Sequence, residues 1–177
     1  MVLPVECELP DMAAVTIRDA VPTDVEGITR VAEQGWTAAD GDILADATIE
    51  VALAEWYDPS LTRERIADDD VTYLVAAQAD TVVGYASGAA VDDAVVGLGS
   101  IYVLPDHWGK GIGTTLLSEF ETRWSGRGRD AVQLFVLADN TVGQSFYRAR
   151  GYEAVGEREA DLFGETVQER RYQKELR

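Results

Sequence analysis

The stretch Val103-Leu-Pro-Asp-His-Trp-Gly-Lys-Gly-Ile-Gly-Thr114 decides the reading of this chain. Before it runs an apolar, β-branched segment, Val95 to Val103. After it, Ile112, Leu116, Leu117, Phe120 and Trp124 recur at helical spacing. The stretch is therefore a tight loop between a strand and a helix. The start of a helix exposes N–H groups that have no intrahelical partner, and the helix dipole adds partial positive charge at the same end. Glycines at 109, 111 and 113 let an anion approach the backbone without a Cβ in the way. The pattern describes a pyrophosphate cradle made from Trp108, Gly109, Lys110, Gly111, Ile112, Gly113 and Thr114. Two other phosphate loops are excluded by spacing. A dinucleotide fingerprint needs G-x-G-x-x-G, and a P-loop needs G-K-[ST], whereas here Lys110 is followed by Gly111.

Further along, Asn140-x-x-Gly143-x-x-x-Tyr147-x-x-x-Gly151-Tyr152 follows a buried strand, Val132 to Val136. Near the start, Ile17-Arg-Asp-Ala20 is followed by Asp24. Through these segments the chain resembles the GNAT superfamily of acyl-CoA-dependent N-acetyltransferases over residues 15–176. Gly111 and Gly113 match the family's [RQ]-x-x-G-x-[GA] loop, with Trp108 where relatives carry Arg or Gln. Gly143 stands in place of the usual Ala of the second motif.

The resemblance implies a mixed α/β fold. Its sheet is mostly antiparallel with one splayed strand pair, flanked by about four helices. It implies direct transfer of the acetyl group of acetyl-CoA to a primary amine, with release of CoA and no metal. The pantetheine arm would lie along the strand edge at Ile101, Tyr102 and Val103, where a peptide-like ligand adds as a further strand. Asn140 would contribute its side-chain amide to the same arm. A backbone N–H near Tyr102 or Val103 would polarise the thioester carbonyl. Tyr147 would protonate the leaving thiolate, as a phenol of pKa ~10 is able to do. Two alternatives stay open: a non-catalytic acyl-CoA-binding module, and transfer of a longer acyl chain. A homodimer is compatible with the resemblance.

The amine must also lose a proton. At pKa ~10.4 the neutral form of an alkyl amine lies ~4.6 kcal/mol uphill at pH 7. The strand before the loop, Val95-Val-Gly-Leu-Gly-Ser-Ile-Tyr-Val103, carries no carboxylate. Ser100 and Tyr102 are able to order a water, and Asp92 and Asp93 read as turn residues. His107, the sole histidine, sits on the phosphate side of the loop. The region between the first two helices (Asp40, Asp42, Glu50) is where the family builds its acceptor site. Trp36 and Asp40 are the acceptor-site candidates, because Trp36 falls off a clear periodic face. Trp56 and Tyr57 fit a packing face.

Composition bounds the rest. A chain of 177 residues suits one domain with a real core, here 15–177 after a tail at 1–14. The single Cys7 gives no internal disulfide, and no apolar run is long enough to span a membrane. These features point to a cytoplasmic setting. There are 32 acidic residues against 15 basic ones, for a net charge of −17. Only Lys110 and Lys174 are lysines. Acidic residues dispersed along the chain fit a halophile's proteome, where molar salt screens self-repulsion. They exclude nucleic acid as a partner, since its binding rests on cations that neutralise phosphates.

The coarse pattern runs β-α-α-β-β-β-α-β-α-β-β. Val15–Arg18 is a strand, and Thr23 to Glu26 forms a capping box ahead of Val25, Ile28, Val31 and Ala32. Residues 36–48 read as a loop. Ile49, Leu53, Trp56 and Tyr57 form a helical face, and Ser60 to Ala67 adds a short helix. Strands follow at Thr72–Ala77 and Val82–Ala90. After Asn140, Val142, Phe146 and Ala149 line one helical face. Glu153–Gly156 pairs with Thr166–Leu176.

Overall fold

A computed structural model describes residues 14–177. The expected tail, with Cys7, lies outside the described residues except for Ala14. In chain order the elements are β1 (Val15–Asp19), α1 (Val25–Asp40), α2 (Asp46–Trp56), α3 (Pro59–Ala67), β2 (Val71–Gln78), β3 (Thr81–Ala90) and β4 (Val95–Val103). Then come α4 (Ile112–Gly126), β5 (Ala131–Leu137), α5 (Thr141–Arg148), β6 (Glu153–Leu162) and β7 (Glu165–Glu175). Short 3-10 turns occupy Pro22–Asp24 and Pro105–His107.

The strands form one sheet in the order β1-β2-β3-β4-β5-β7-β6. All neighbours are antiparallel except β4 and β5, which run parallel and pair only over Val95–Gly97 and Ala131–Gln133. Beyond Gly97 each keeps its other neighbour and leaves the shared edge: β4 stays with β3, and β5 stays with β7. A wedge-shaped gap opens there. Ser87 faces Ser100 and Gly88 faces Leu98, so Gly99 is an extra residue, a bulge in β4.

Each face of the sheet has its own core. On one, Leu116, Leu117, Phe120 and Trp124 of α4 cover Leu74, Val96, Leu98, Val132 and Leu134. On the other, Ile28, Val31, Ala32 and Trp36 of α1 pack with Tyr73, Val75, Tyr85, Ile49 and Tyr57. Each such large side chain taken fully out of water contributes roughly 1.5–3 kcal/mol. That burial outweighs the weak helix propensity of several of these segments.

The apolar stripe expected for α4 is the buried one. Elsewhere the structure differs from expectation, each time for a local reason. The capping box at Thr23 does not form. Instead Asp24 accepts from the Val21 N–H at 2.8 Å and is held by Arg18 at 2.7 Å. Residues 36–48 are not one loop, because α1 continues to Asp40 and α2 starts at Asp46. Burial of Trp36 extends the Ile28–Ala32 stripe by another turn. In α5, Val142 is 74% exposed and Ala149 is also exposed; the buried residue is Gln144. Its carbonyl oxygen accepts from Tyr172 at 3.0 Å and Arg170 at 2.9 Å, so polar bonds anchor this helix to β7. The last hairpin is longer than expected. Phe163 and Gly164 both take positive φ (51° and 89°), a turn that lets β6 pair with β7 from Glu153 to Leu162, with a bulge between Ala154 and Gly156. Counting α3, five α-helices flank the sheet among the described residues.

Candidate active site

A cavity of about 640 Å³ passes through the gap between β4 and β5. Its lining joins the glycine loop and the start of α4, on one face of the sheet, to the end of α1 on the other. That volume is in the range of small-molecule and cofactor sites.

The loop is shaped as an anion cradle. Gly109 and Gly111 have φ of 75° and 81°, and a Cβ at either would meet nothing within 4 Å, so the space in front of them is open. The first bond of the α4 ladder runs from the Thr115 N–H to the Gly111 oxygen at 3.0 Å. The N–H groups of Ile112, Gly113 and Thr114 precede it and are available to a ligand. Gly113 serves packing instead. A Cβ there would sit 3.3 Å from the Phe146 ring, so its absence lets α5 close against α4. Lys110 is exposed and is not part of the cavity lining. The cation at this mouth is Arg150, which donates to Thr114 Oγ1 at 2.9 Å and stacks on Phe146. The sequence pattern did not single it out; its position three residues after Tyr147 was the available signal.

Trp108, the departure from the family loop, donates its indole N–H to the Val103 carbonyl at 2.8 Å. It pins the loop to the end of β4. The register shows what this edge offers. The Leu104 N–H donates to Val83 O at 2.9 Å, so alternation directs the polar groups of Tyr102 toward β3. Those of Ile101 and Val103 face the gap. Of the two N–H groups expected near Tyr102 or Val103, that of Val103 faces the gap, as does that of Ile101, and that of Tyr102 is turned into the sheet.

The Tyr102 side chain lies on the α1 face, half-buried and stacked on Trp36 with centroids 6.1 Å apart. Its hydroxyl makes a long 3.5 Å bond to Asp40 Oδ2. Asp40, 5% exposed, ends α1 and lines the cavity. Its other oxygen accepts from Asn140 Nδ2 at 3.2 Å. Asn140 in turn accepts from the Gly143 N–H at 2.8 Å and so caps α5. The amide expected to serve the pantetheine arm is thus engaged at both ends, by Gly143 and by Asp40. Burial pushes the Asp40 carboxyl up to about 6, against the opposing pull of its two hydrogen bonds.

Tyr147 projects from α5 into the same cavity, set by edge contacts to Phe146 at 5.1 Å and Tyr152 at 5.6 Å. Burial first, and the Asp40 charge second, push its phenol well above the ordinary tyrosine value. It stays protonated at neutral pH. Trp56, expected in the core, is 37% exposed and lines the cavity beside Trp36 at 5.6 Å. Tyr57 is the core residue of that pair, accepting from the Tyr85 hydroxyl at 2.5 Å. His107 is half-buried and hydrogen-bonded to Gln78 at 3.1 Å.

An open glycine loop at a helix N-terminus, a strand edge whose backbone groups face the gap, and a slot reaching a carboxylate and a phenol are the features that suit an acyl-CoA-dependent acyltransferase. The sequence profile of the Acetyltransferase (GNAT) family matches residues 41–152, and the chain belongs to that family. It is an acetyl-CoA-dependent N-acetyltransferase. Spermidine N(1)-acetyltransferase of Thermoplasma acidophilum is 27% identical over 144 residues, which cover 79% of this chain and 89% of the relative. The crystal structure of the PaiA N-acetyltransferase of Thermoplasma acidophilum in complex with coenzyme A superposes with a TM-score of 0.79 at 25% identity, covering 92% of this chain and 99% of that one. A GCN5-related N-acetyltransferase from Rhodopseudomonas palustris gives 0.78 at 23% identity, with 93% and 98% covered, and shows the shared fold.

Proposed function

We propose that the chain acetylates a primary amine of a small aliphatic cation, and that spermidine is the first acceptor to assay. The single observation that carries this is the cavity through the β4–β5 gap, which leads from the cradle to Asp40, a buried carboxylate with no cationic partner among the described residues. The 27% identical spermidine acetyltransferase supports the same class. The net charge of −17 also favours cations, since it raises their concentration near the surface.

In this reading the backbone of Gly109 to Thr114 holds the pyrophosphate, while Ile101 and Val103 pair with the pantetheine amides. A gap-facing N–H of this edge that the arm leaves free meets the thioester oxygen. Trp36 lies one helical turn from Asp40 and offers its ring to the ammonium. Tyr147 gives its proton to the departing thiolate. The acidic surface supports a cytoplasm of high salt, and a melting temperature that rises with KCl is the expected outcome of a thermal scan.

The test is release of CoA thiol from acetyl-CoA with spermidine, for the wild type and Tyr147→Phe. Wild-type turnover is expected, with a 10²–10⁴-fold loss in the variant and unchanged acetyl-CoA affinity. Turnover with a peptide N-terminus but not with spermidine would refute the acceptor class. Equal turnover by both proteins would remove the role given to Tyr147.

A further inference from the structure

We infer that Asp40 is the general base of the transfer, and that Asn140 positions it. The inference rests on the reading above, and its geometry is independent of which amine is used. On α1, Ile28, Ala32 and Trp36 are buried at successive four-residue steps, and Asp40 is the next position. Packing alone calls for an apolar side chain there. Instead the chain places a carboxylate, 5% exposed, at the wall of the reaction cavity. A buried charge costs several kcal/mol unless it is paired, and no salt bridge to it exists among the described residues. What holds it is an Asn amide at 3.2 Å and a long tyrosine contact at 3.5 Å. The two donors orient the group without cancelling its charge, so its oxygens can still take a proton.

Polar and titratable groups face it from several elements. From β4 comes Tyr102 and from α5 comes Tyr147, both phenols whose pKa is pushed up. From the β5–α5 junction comes Asn140, which does not titrate. Arg158 of β6 and Glu169 of β7 line the same cavity and pair with each other at 2.6 Å. Asn140 has no freedom to turn away, since its carbonyl is held by the Gly143 N–H. One cavity thus contains a carboxylate able to accept a proton near neutral pH and a phenol that keeps its own until a stronger base arrives, and burial raises the pKa of both.

The step balances. Asp40 accepts a proton from the ammonium, and the nitrogen lone pair attacks the thioester carbon. A C–N bond forms and the C–S bond breaks. The sulfur takes a proton from Tyr147, the nitrogen gives up its second proton to water as the amide forms, Tyr147 regains one from solvent, and Asp40 releases its own on product departure, for a net release of one proton.

The experiment measures kcat/KM against pH for CoA release, with acetyl-CoA and a panel of primary amines that includes spermidine. It compares the wild type with Asp40→Asn and Asn140→Asp. For the wild type an acid limb near pH 6 is expected. Asp40→Asn should lose 10²–10⁴-fold at pH 7. It should recover about tenfold per pH unit as solvent supplies more neutral amine, with acetyl-CoA affinity unchanged by calorimetry. Asn140→Asp keeps an oxygen to cap α5 but sets a second carboxylate beside the first, so its acid limb should move above that of the wild type. The limb would stay in place if the Asp40 carboxyl took no part in the step. Activity of Asp40→Asn with the wild-type profile, or an unmoved limb in Asn140→Asp, overturns the inference while leaving the acetyltransferase reading intact. A folded wild type that binds acetyl-CoA but acetylates no amine in the panel overturns both.

Discussion

Replacing Asp40 by Asn should stabilise the protein at neutral pH, and the size of the effect follows from the site. The carboxyl titrates at about 6 in the fold against 3.8 for the ordinary group. A gap of about two pH units corresponds to about 3 kcal/mol. The sign is fixed by linkage. A raised carboxyl pKa means that the fold favours the protonated form, so that stability is present below the unfolded value of 3.8 and is lost as pH rises through about 6. Above pH 7 the wild type bears the full burden of an ionised, buried carboxylate. Asparagine has nearly the same shape, never ionises, and keeps an oxygen for the Asn140 amide. The assay is urea unfolding of both proteins between pH 4 and pH 8. Subtracting the two curves removes the titration of the other carboxylates. The difference should grow by about 3 kcal/mol in favour of Asp40→Asn across that window. For a domain of this size that amounts to roughly 6–12 °C in Tm. A difference that stays flat with pH would refute the reasoning, because it would mean that Asp40 is solvated or neutralised. A difference of opposite slope would mean that a cation holds it.

Two more outcomes concern the cofactor side. Gly111→Glu should abolish acetyl-CoA binding in calorimetry while the fold persists in circular dichroism. At a φ of 81° a side chain costs about 1–2 kcal/mol in backbone strain, but nothing lies within 4 Å to clash with it. Its charge falls where the phosphate would sit. Trp108→Phe deletes one neutral hydrogen bond, to the Val103 carbonyl, of about 1 kcal/mol. About a fivefold rise in acetyl-CoA Kd is expected, with kcat unchanged; an unaltered Kd would mean that the indole bond does not brace the loop.

The cofactor side was legible in the sequence because it depends on local pattern. Glycines at 109 and 111 report positive φ directly, and the stripe from Ile112 to Trp124 is a four-turn periodicity that packing did not alter. The acceptor side was not legible to the same degree, because it depends on contacts between distant segments. Asp40 and Asn140 meet across 100 positions, and nothing local in either segment announces the other. Residues 36–48 read as a loop because polar residues there broke the pattern. One of those residues, the candidate Asp40, is buried all the same: counting by fours from Ile28 through Ala32 and Trp36 reaches it and places it on the packed face of α1 rather than in a loop. Trp56 misled for the converse reason. It occupies a position on a good helical face, but that face ends at the cavity rather than in the core.

The extra residue at Gly99 gives β4 something like a reading frame. Strict alternation from Val96 and Leu98 would carry Ser100 and Tyr102 into the layer beneath α4. The bulge shifts the count by one, so Ile101 and Val103 join that layer and Tyr102 emerges beside Trp36 and Asp40. A strand of this length paired without the bulge would exchange its two faces beyond Leu98, so that the phenol would be withdrawn from the carboxylate and the backbone groups that face the slot would be swapped. Deleting Gly99 would instead remove the bulge and the extra residue together, and Leu98 and Ile101, then two apart, would keep their common face. Gly99 thus absorbs an odd count, and the side of the sheet on which Tyr102 stands is set by the pairing with β3 and not by the number of residues.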